Sequence, residues 1–356
     1  MCGITGFSGN RDQRVLEVMN NTLAHRGPDD AGYYSNRSMN LAMRRLSIID
    51  LDKGHQPLSN ENDSVWVVFN GEIYNHGQLR EQLQAGGHCF KTHHCDTEVI
   101  VHLYEEYGED WPARVNGMFA AAVWDEKKKK LLLCRDRIGK KPLYYAVKNS
   151  QIIFASEIKA ILKYPGISRN LDFDALYHYF GLKNISAPRT VYAQIKQVMP
   201  GQVLVWQGRQ ITSRSYWKPD FRSPLYDISE DEAAEQFLRL LEDAVKMRMK
   251  CDVAYGAYLS GGVDSSSVVA LMSRNQSKPV KTFCLRYEDT GPGQFQGKQD
   301  DIRSARHIAG MFKTEHFEHI INSRKFAEQM PLILSSFDEP FSGIDPITVF
   351  EAQEII

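Results

Sequence analysis

The rhythm of apolar and polar positions changes once along this chain, near residue 217, and the change separates two kinds of fold. Before it, short apolar runs recur between Gly, Asn and Asp: CGITGFSG (2–9), VWVVFNGEIYN (65–75), MFAAAVWDEKKKKLLLCRDR (118–137), PLYYAV (142–147) and QIIFASE (151–157). Runs of four to eight residues bounded by turn formers predict strands. Between them, VLEVMNNTLAHR (15–26) and DTEVIVHLYEEYG (96–108) place apolar residues three and four apart, which predicts helices. The mixture implies stacked antiparallel sheets with helices outside. Pro200-Gly201 marks a turn, and VLVWQGRQIT (203–212) reads as a last hairpin.

Trp217 to Ser229 holds two prolines and little periodicity. The expected organisation is therefore a first domain over 2–212, a linker over 213–229 and a second domain over 230–356. Ser229 with Glu232 makes a capping-box pattern at a helix start. Beyond it, helix and strand patterns alternate. EDEAAEQFLRLLEDAVKMRM (230–249) is amphipathic, VAYGAYL (253–259) reads as a buried strand, and SSSVVALMSR (265–274) as a helix. KTFCLRY (281–287) is a strand, DDIRSARHIAGMF (300–312) a helix and EHFEHII (315–321) a strand. Such alternation predicts a parallel sheet wound with helices.

Composition fits two soluble domains: 356 residues exceed what one core supports, with 42% hydrophobic and 24% charged positions. A net charge of -1 argues against a general nucleic-acid binder. No apolar run approaches a membrane span, and the first residues lack a signal peptide's basic and apolar regions. Six irregularly spaced cysteines do not form a disulfide framework, so a reducing cytoplasm fits best. The four lysines at 127–130 lie between strand patterns and read as a solvated hairpin tip.

Two stretches carry chemistry. YLSGGVDSSSVVALM (258–272) is a strand, a Gly-rich turn and a helix whose N-terminus gathers main-chain N–H groups where an anion can sit. Gly261 and Gly262 permit close approach of a phosphate, and the Ser260 and Ser265 hydroxyls can donate to it. Asp264 is useful there beside a Mg²⁺ shared with the phosphates. No Gly-Lys-Ser/Thr is present, so this is not the kinase-type loop. SGGxDS is a pyrophosphate loop of enzymes that cleave ATP between its α- and β-phosphates. The second stretch is MCGITGF, in which removal of Met1 would give Cys2 a thiol and a free α-amine.

With both in view, the chain resembles the glutamine-hydrolysing asparagine synthetase family of amidotransferases. The shared blocks are MCGITGF, HRGPDD (25–30), RRLSIIDL (44–51), QPL (56–58), FNGEIYN (69–75), CDTEVI (95–100), GMFAAAVWD (117–125), RDRIGKKPLYY (135–145), FASEIKA (154–160) and SGGVDS, in common order. The resemblance implies an α+β N-terminal-nucleophile domain, an αββα sandwich, followed by an α/β Rossmann-like ATP-pyrophosphatase domain. In the first, Cys2 attacks the glutamine carboxamide, forms a thioester and releases ammonia, with its own α-amine as base. Asn70 and the Gly71 N–H are assigned to the oxyanion. Arg45 is assigned to the glutamine α-carboxylate and Glu72 and Asp96 to its α-ammonium, with help from the backbone of Leu46, Ser47, Ile48 and Ile49. Read without the family, Asn70-Gly71 is equally a type I′ hairpin turn.

In the second domain the resemblance implies ATP over Leu259, Ser260, Gly261, Gly262, Asp264 and Ser265, with Leu285 near the adenine and Mg²⁺ at Asp264 through pyrophosphate. A carboxylate, aspartate first, would be adenylated and captured by ammonia carried through an internal channel. Glutamine, ATP and that carboxylate are the implied partners, with no nucleic acid or membrane; a homodimer stays open. Family members continue past the last residues here, EAQEII, with a second Gly-rich segment. The expectation is therefore a C-terminally truncated chain, in which DEP (338–340) and IDPITVFEAQEII (344–356) begin a helix lining the substrate site. Phe173–Pro200 resembles longer-linker members, several of which amidate other acceptors. A noncatalytic regulatory homologue and a stand-alone amidohydrolase are the other readings. HCFKTHHCD (88–96) has Cys and His at zinc-like spacing but no second ligand pair, and His316 and His319 would face opposite sides of a strand. Neither is assigned a metal.

Overall fold

The structure, a computed structural model, describes residues 1–221, 227–287, 296–321 and 323–342. It divides into two compact units, Met1–Ser223 with Asp338–Pro340, and Pro224–Phe337 with Phe341–Ile356. Residues 222–226, inside the stretch read as a linker, and 343–356, in the last helix read from the sequence, lie outside the described residues.

The first unit contains β1 (Gly3–Ser8), α1 (Gln13–Asn21), β2 (Asp30–Ser35), β3 (Met39–Arg45), β4 (Leu58–Ser59), β5 (Val65–Ile73), α2 (His76–Ala85) and α3 (Val99–Tyr107). It continues with β6 (Gly117–Asp125), β7 (Lys130–Arg135), β8 (Tyr144–Lys148), β9 (Gln151–Ala155), α4 (Ile158–Ile161), α5 (Phe173–Leu182), β10 (Ile195–Gln197), β11 (Gln202–Gln207) and β12 (Gln210–Ser215). The strands make two antiparallel sheets, ordered β10-β8-β9-β1-β3-β2 and β12-β11-β7-β6-β5-β4.

Three apolar clusters fill three gaps, so there are four layers. Leu16, Met19 and Leu23 of α1 and its following turn, with Ile158 and Ile161 of α4, pack on the outer face of the first sheet against Phe7, Ala42 and Ile153. Between the sheets, Ile4, Leu41, Met43 and Phe154 meet Val68, Ala122, Trp124 and Leu133. Leu79, Leu83, Val99, Leu103 and Trp111 cover the outer face of the second sheet against Val67, Phe69 and Phe119. Alternation along a strand explains the sorting: in β5, Val67 and Phe69 point to the helices and Val68 points to the other sheet. The lysine run does close the β6–β7 hairpin, with Lys129 in a left-handed turn conformation. Asn70 and Gly71 are not a turn. They lie inside β5, opposite Ala120 and Phe119 of β6, because both flanking runs are long enough to form one continuous nine-residue strand.

The second unit contains α6 (Glu230–Arg248), β13 (Gly256–Tyr258), α7 (Val263–Arg274), β14 (Lys281–Tyr287), α8 (Gln296–Phe312), β15 (Glu315–Ile321) and α9 (Ser323–Ser336). Among the described residues, its three strands are parallel in the order β13-β14-β15. The Ser229 hydroxyl accepts the Glu232 N–H and the Glu232 carboxylate accepts the Ser229 N–H, completing the capping box. One expectation needs correction. Only Gly256–Tyr258 of VAYGAYL is strand, and most of that stretch is exposed, because β13 is an outer strand among the described residues.

Trp124 is fully buried between the two sheets. Trp124→Ala is expected to cost about 3–5 kcal/mol of stability. Urea unfolding followed by far-UV circular dichroism checks this; an unchanged midpoint would contradict the inter-sheet packing.

Candidate active site

Cys2 precedes β1 and lies beside the chain leaving β3. Its Sγ accepts the Leu46 N–H at 3.4 Å and faces the Leu46 carbonyl at 3.6 Å. The Cys2 carbonyl accepts Arg26 Nε at 2.9 Å, and Arg26 Nη1 donates to Glu157 Oε1 at 2.9 Å. The Ile4 N–H is held by Ser156 Oγ. The second residue is thus fixed on both its side chain and its main chain. Burial pushes the Cys2 thiol above its ordinary range, against the Leu46 hydrogen bond, so the thiol needs a base to become a nucleophile. Burial holds the Met1 α-amine below its ordinary range, helped by the charges of Arg26 and Lys141.

A pocket opens on Cys2 and is lined by Arg45, Leu46, Ile48, Ile49, Gly71, Glu72 and Asp96. These are residues that the sequence reading grouped. Ser47 is not in the lining; its N–H is directed to Asp29 Oδ2 at 2.8 Å. Asn70 is not in the lining either. It shares a face of β5 with Val68, toward the inter-sheet core on which Cys2 packs. Its Nδ2 is buried with no hydrogen-bond partner among the described residues. A buried amide donor without an acceptor is costly, and an oxyanion would supply the acceptor.

Burial raises the pKa of Glu72, and the neighbouring Asp96 raises it further. Asp96 is also raised by burial, although its Oδ2 accepts the Ile73 N–H at 2.9 Å. Two carboxyls that resist ionising together suit a cationic guest, which would stabilise both charges. Arg45 is buried and donates to the carbonyls of Ile49, Asp50 and Leu51 at 2.8–3.1 Å. Gly54 makes room for it: a Cβ there would lie 2.1 Å from Arg45 Nη2. Arg45 therefore shapes the wall that carries Ile48 and Ile49 while lining the pocket itself.

Several contributors had no role from sequence. Gln56 is buried, accepts the Phe69 N–H at 2.8 Å and donates to Thr97 at 3.1 Å, joining β5 to the turn that carries Asp96. Arg26 and Lys141 also lay within recognised blocks, but their contacts to Cys2 and Met1 arise only in three dimensions. His93 and His94 use their backbone N–H groups, both bound to Asp50 Oδ2, to fix a loop.

In the second unit, Leu259 is buried at the end of β13 and α7 starts at Val263 with Gly262 as its cap. Ser260 Oγ and Ser265 Oγ are 3.1 Å apart, and the Gly262 N–H donates to Ser260 Oγ at 3.4 Å. Asp264 is exposed in the first turn of α7, and Leu285 lies on the adjacent strand β14. Gly261 has φ +80°, and a Cβ there would meet Ser304 Cβ at 2.5 Å and Ala305 N at 2.6 Å. Glycine is demanded by both turn conformation and the closeness of α8.

Residues 1–217 match a glutamine amidotransferase domain family, and residues 236–354 match an asparagine synthase family. The chain is 33% identical to the asparagine synthetase [glutamine-hydrolyzing] 1 of Bacillus subtilis, over 98% of this chain and 54% of that protein. It is 34% identical to a putative asparagine synthetase [glutamine-hydrolyzing] 2 of Methanocaldococcus jannaschii, over 100% of this chain and 72% of that protein. It thus spans about half of the first relative's length. Among solved structures, a glutamine phosphoribosylpyrophosphate amidotransferase from B. subtilis aligns with TM-score 0.46 and 17% identity, over 90% of this chain and 81% of that one, a likeness too loose to carry inference.

Two substitutions should separate binding from chemistry with glutamine as substrate. Asn70→Ala is expected to lower kcat about 10²–10³-fold with little change in KM. Arg45→Lys should mainly raise KM, since an ammonium cannot reproduce a guanidinium's paired donors. Steady-state glutamate release checks both, and the reverse pattern would reverse the assignments.

Proposed function

The chain belongs to the glutamine-dependent asparagine synthetase-like family, and on that premise we propose that its first unit hydrolyses glutamine at Cys2. One observation carries the reading: a cysteine thiol, a guanidinium and two paired carboxyls line one pocket. The guanidinium fits an α-carboxylate, the carboxyls fit an α-ammonium, and the thiol is left for the side-chain amide.

Loss of Met1 would place a free α-amine on Cys2, one residue along from an amine whose pKa is already lowered. That amine takes the thiol proton as sulfur attacks the carboxamide carbon. Asn70 Nδ2 and the Gly71 N–H hold the oxygen as it gains charge. The proton returns to nitrogen, the C–N bond breaks, ammonia leaves and water cleaves the thioester to glutamate. In the second unit, the Ser260–Ser265 turn would take the phosphates of ATP. The exposed Asp264 carboxylate at the same turn fits a Mg²⁺, which would neutralise phosphate charge. The carboxylate to be activated is proposed to be aspartate, with ammonia as the amidating nucleophile.

Protein freed of Met1 should release glutamate and ammonia from glutamine, Cys2→Ala protein should release neither, and protein retaining Met1 should turn over poorly. Mass spectrometry of the N-terminus paired with glutamate release is the measurement. Equal turnover with and without Met1 would remove the α-amine from the mechanism.

ATP binding tests the second unit. Gly261→Ala strains the turn, so calorimetric affinity for ATP with Mg²⁺ should fall about tenfold or more. Unchanged affinity would place ATP elsewhere.

A further inference from the structure

Four side chains outside the glutamine pocket converge on one point. Glu61 comes from the loop before β5, His88 from the segment after α2, and His102 and Glu105 from α3, one turn apart. We propose that Glu61, His88, His102 and Glu105 bind a zinc ion that fastens these three segments together.

The spacing is the first argument. His88 Nδ1 lies 3.5 Å from Glu61 Oε1 and 3.7 Å from Glu105 Oε2. His102 Nδ1 lies 3.6 Å from Glu61 Oε1 and 3.4 Å from Glu105 Oε2. A tetrahedral zinc with bonds of ~2.0–2.1 Å has ligand–ligand edges of ~3.3–3.4 Å. The four nitrogen–oxygen edges therefore need to contract by a few tenths of an ångström, while the widest separation in the group, within 4.8 Å, would close by more on the ion.

Proton placement is the second. His88 directs Nε2 to Glu106 Oε1 at 3.0 Å, whereas His102 Nε2 is buried with no hydrogen-bond partner among the described residues, 3.8 Å from Glu98 Oε1. For His88, a carboxylate on the outer nitrogen favours the proton there and leaves the lone pair on Nδ1, the arrangement of metal-bound histidines. The Nδ1 atoms of both histidines face the same two carboxylates. A divalent cation at that point would take both nitrogens and both carboxylates as ligands.

The carboxylates are also aimed. Glu105 gives Oε1 to Asn60 Nδ2 at 2.6 Å, which leaves Oε2 for the centre, and Glu61 Oε1 is positioned by the Cys89 N–H at 2.8 Å. His102 is fully buried, while Glu61 and Glu105 retain access to solvent, so an ion has a way in. Two imidazoles and two carboxylates suit zinc better than magnesium or calcium, which favour all-oxygen shells. The histidines of 88–96 thus divide: His88 joins the cage, while His93 and His94 contribute backbone N–H groups to Asp50.

The test uses the whole chain stripped with chelator and titrated with zinc alone, then with cobalt(II). One equivalent of zinc should bind and raise the thermal midpoint, and cobalt should give the visible bands of a tetrahedral site. His88→Gln should weaken zinc at least tenfold, and Glu106→Gln about 10–100-fold through its hold on His88. Glu106 is exposed and His88 is the less buried of the two histidines, so their variants test the cage without emptying the fully buried His102 position. Absence of zinc binding by the unmutated chain would overturn the proposal. So would binding that survives His88→Gln and Glu106→Gln but is lost in His93→Gln/His94→Gln, which would mark adventitious zinc on surface histidines.

Discussion

The proposed nucleophile is the second residue of the chain, where little backbone precedes it, and the first unit holds that position by contacts from other segments. Strand β1 begins one residue later and lies between β9 and β3 in the interior of its sheet. The Arg26 guanidinium holds the Cys2 carbonyl and is itself held by Glu157, while Leu46 holds the sulfur from the other side. Without those contacts, the proposed nucleophile would sit at the kind of chain end most prone to fray. The four-layer arrangement follows from the same need. A strand end fixed to this degree requires a sheet covered on both faces, and the inter-sheet core against which Cys2 packs supplies the inner cover.

The thiol's surroundings also account for its proposed partner. Burial makes the thiolate unfavourable, and Glu72 and Asp96 add further negative charge nearby. A resident thiolate would be poorly stabilised there. A thiol deprotonated only as it attacks avoids that cost, which is the role proposed for an α-amine on the same residue. The carboxyls disfavour a standing negative charge on sulfur and favour a cationic group on the guest.

The order of elements was legible because the period of the apolar pattern is a local property. Strands such as Lys281–Tyr287 and Glu315–Ile321 coincide with their sequence runs. Burial was less legible: Phe237 and Leu240 of the amphipathic α6 are largely exposed among the described residues. The Asn70-Gly71 pair shows why local rules fail. It satisfies a turn rule, yet nine-residue pairing with β6 outweighs it. Cys2, Arg45, Glu72 and Asp96 could be grouped through recognisable blocks, but Gln56, Gly54 and Arg26 act through contacts made only after folding. Gly261 was read as making room for a phosphate; the structure adds a second demand, since a side chain there would meet α8.

Residues 88–98 connect the pocket to the cage behind it. Glu98 accepts the N–H groups of Lys91 and Thr92, Asp50 accepts those of His93 and His94, and Asp96 enters the pocket immediately before α3. Asp50 also lies within the 49–51 loop whose carbonyls hold Arg45. The group assigned to the guest's carboxylate and one assigned to its ammonium are therefore braced by the same short segment. His102 and Glu105 continue that brace along α3, while His88 stands at the segment's other end. An ion joining them would close the segment into a loop tied at both ends. The distance between Arg45 and Asp96, and with it the length of amino acid the pocket accepts, would then be set partly from outside the pocket.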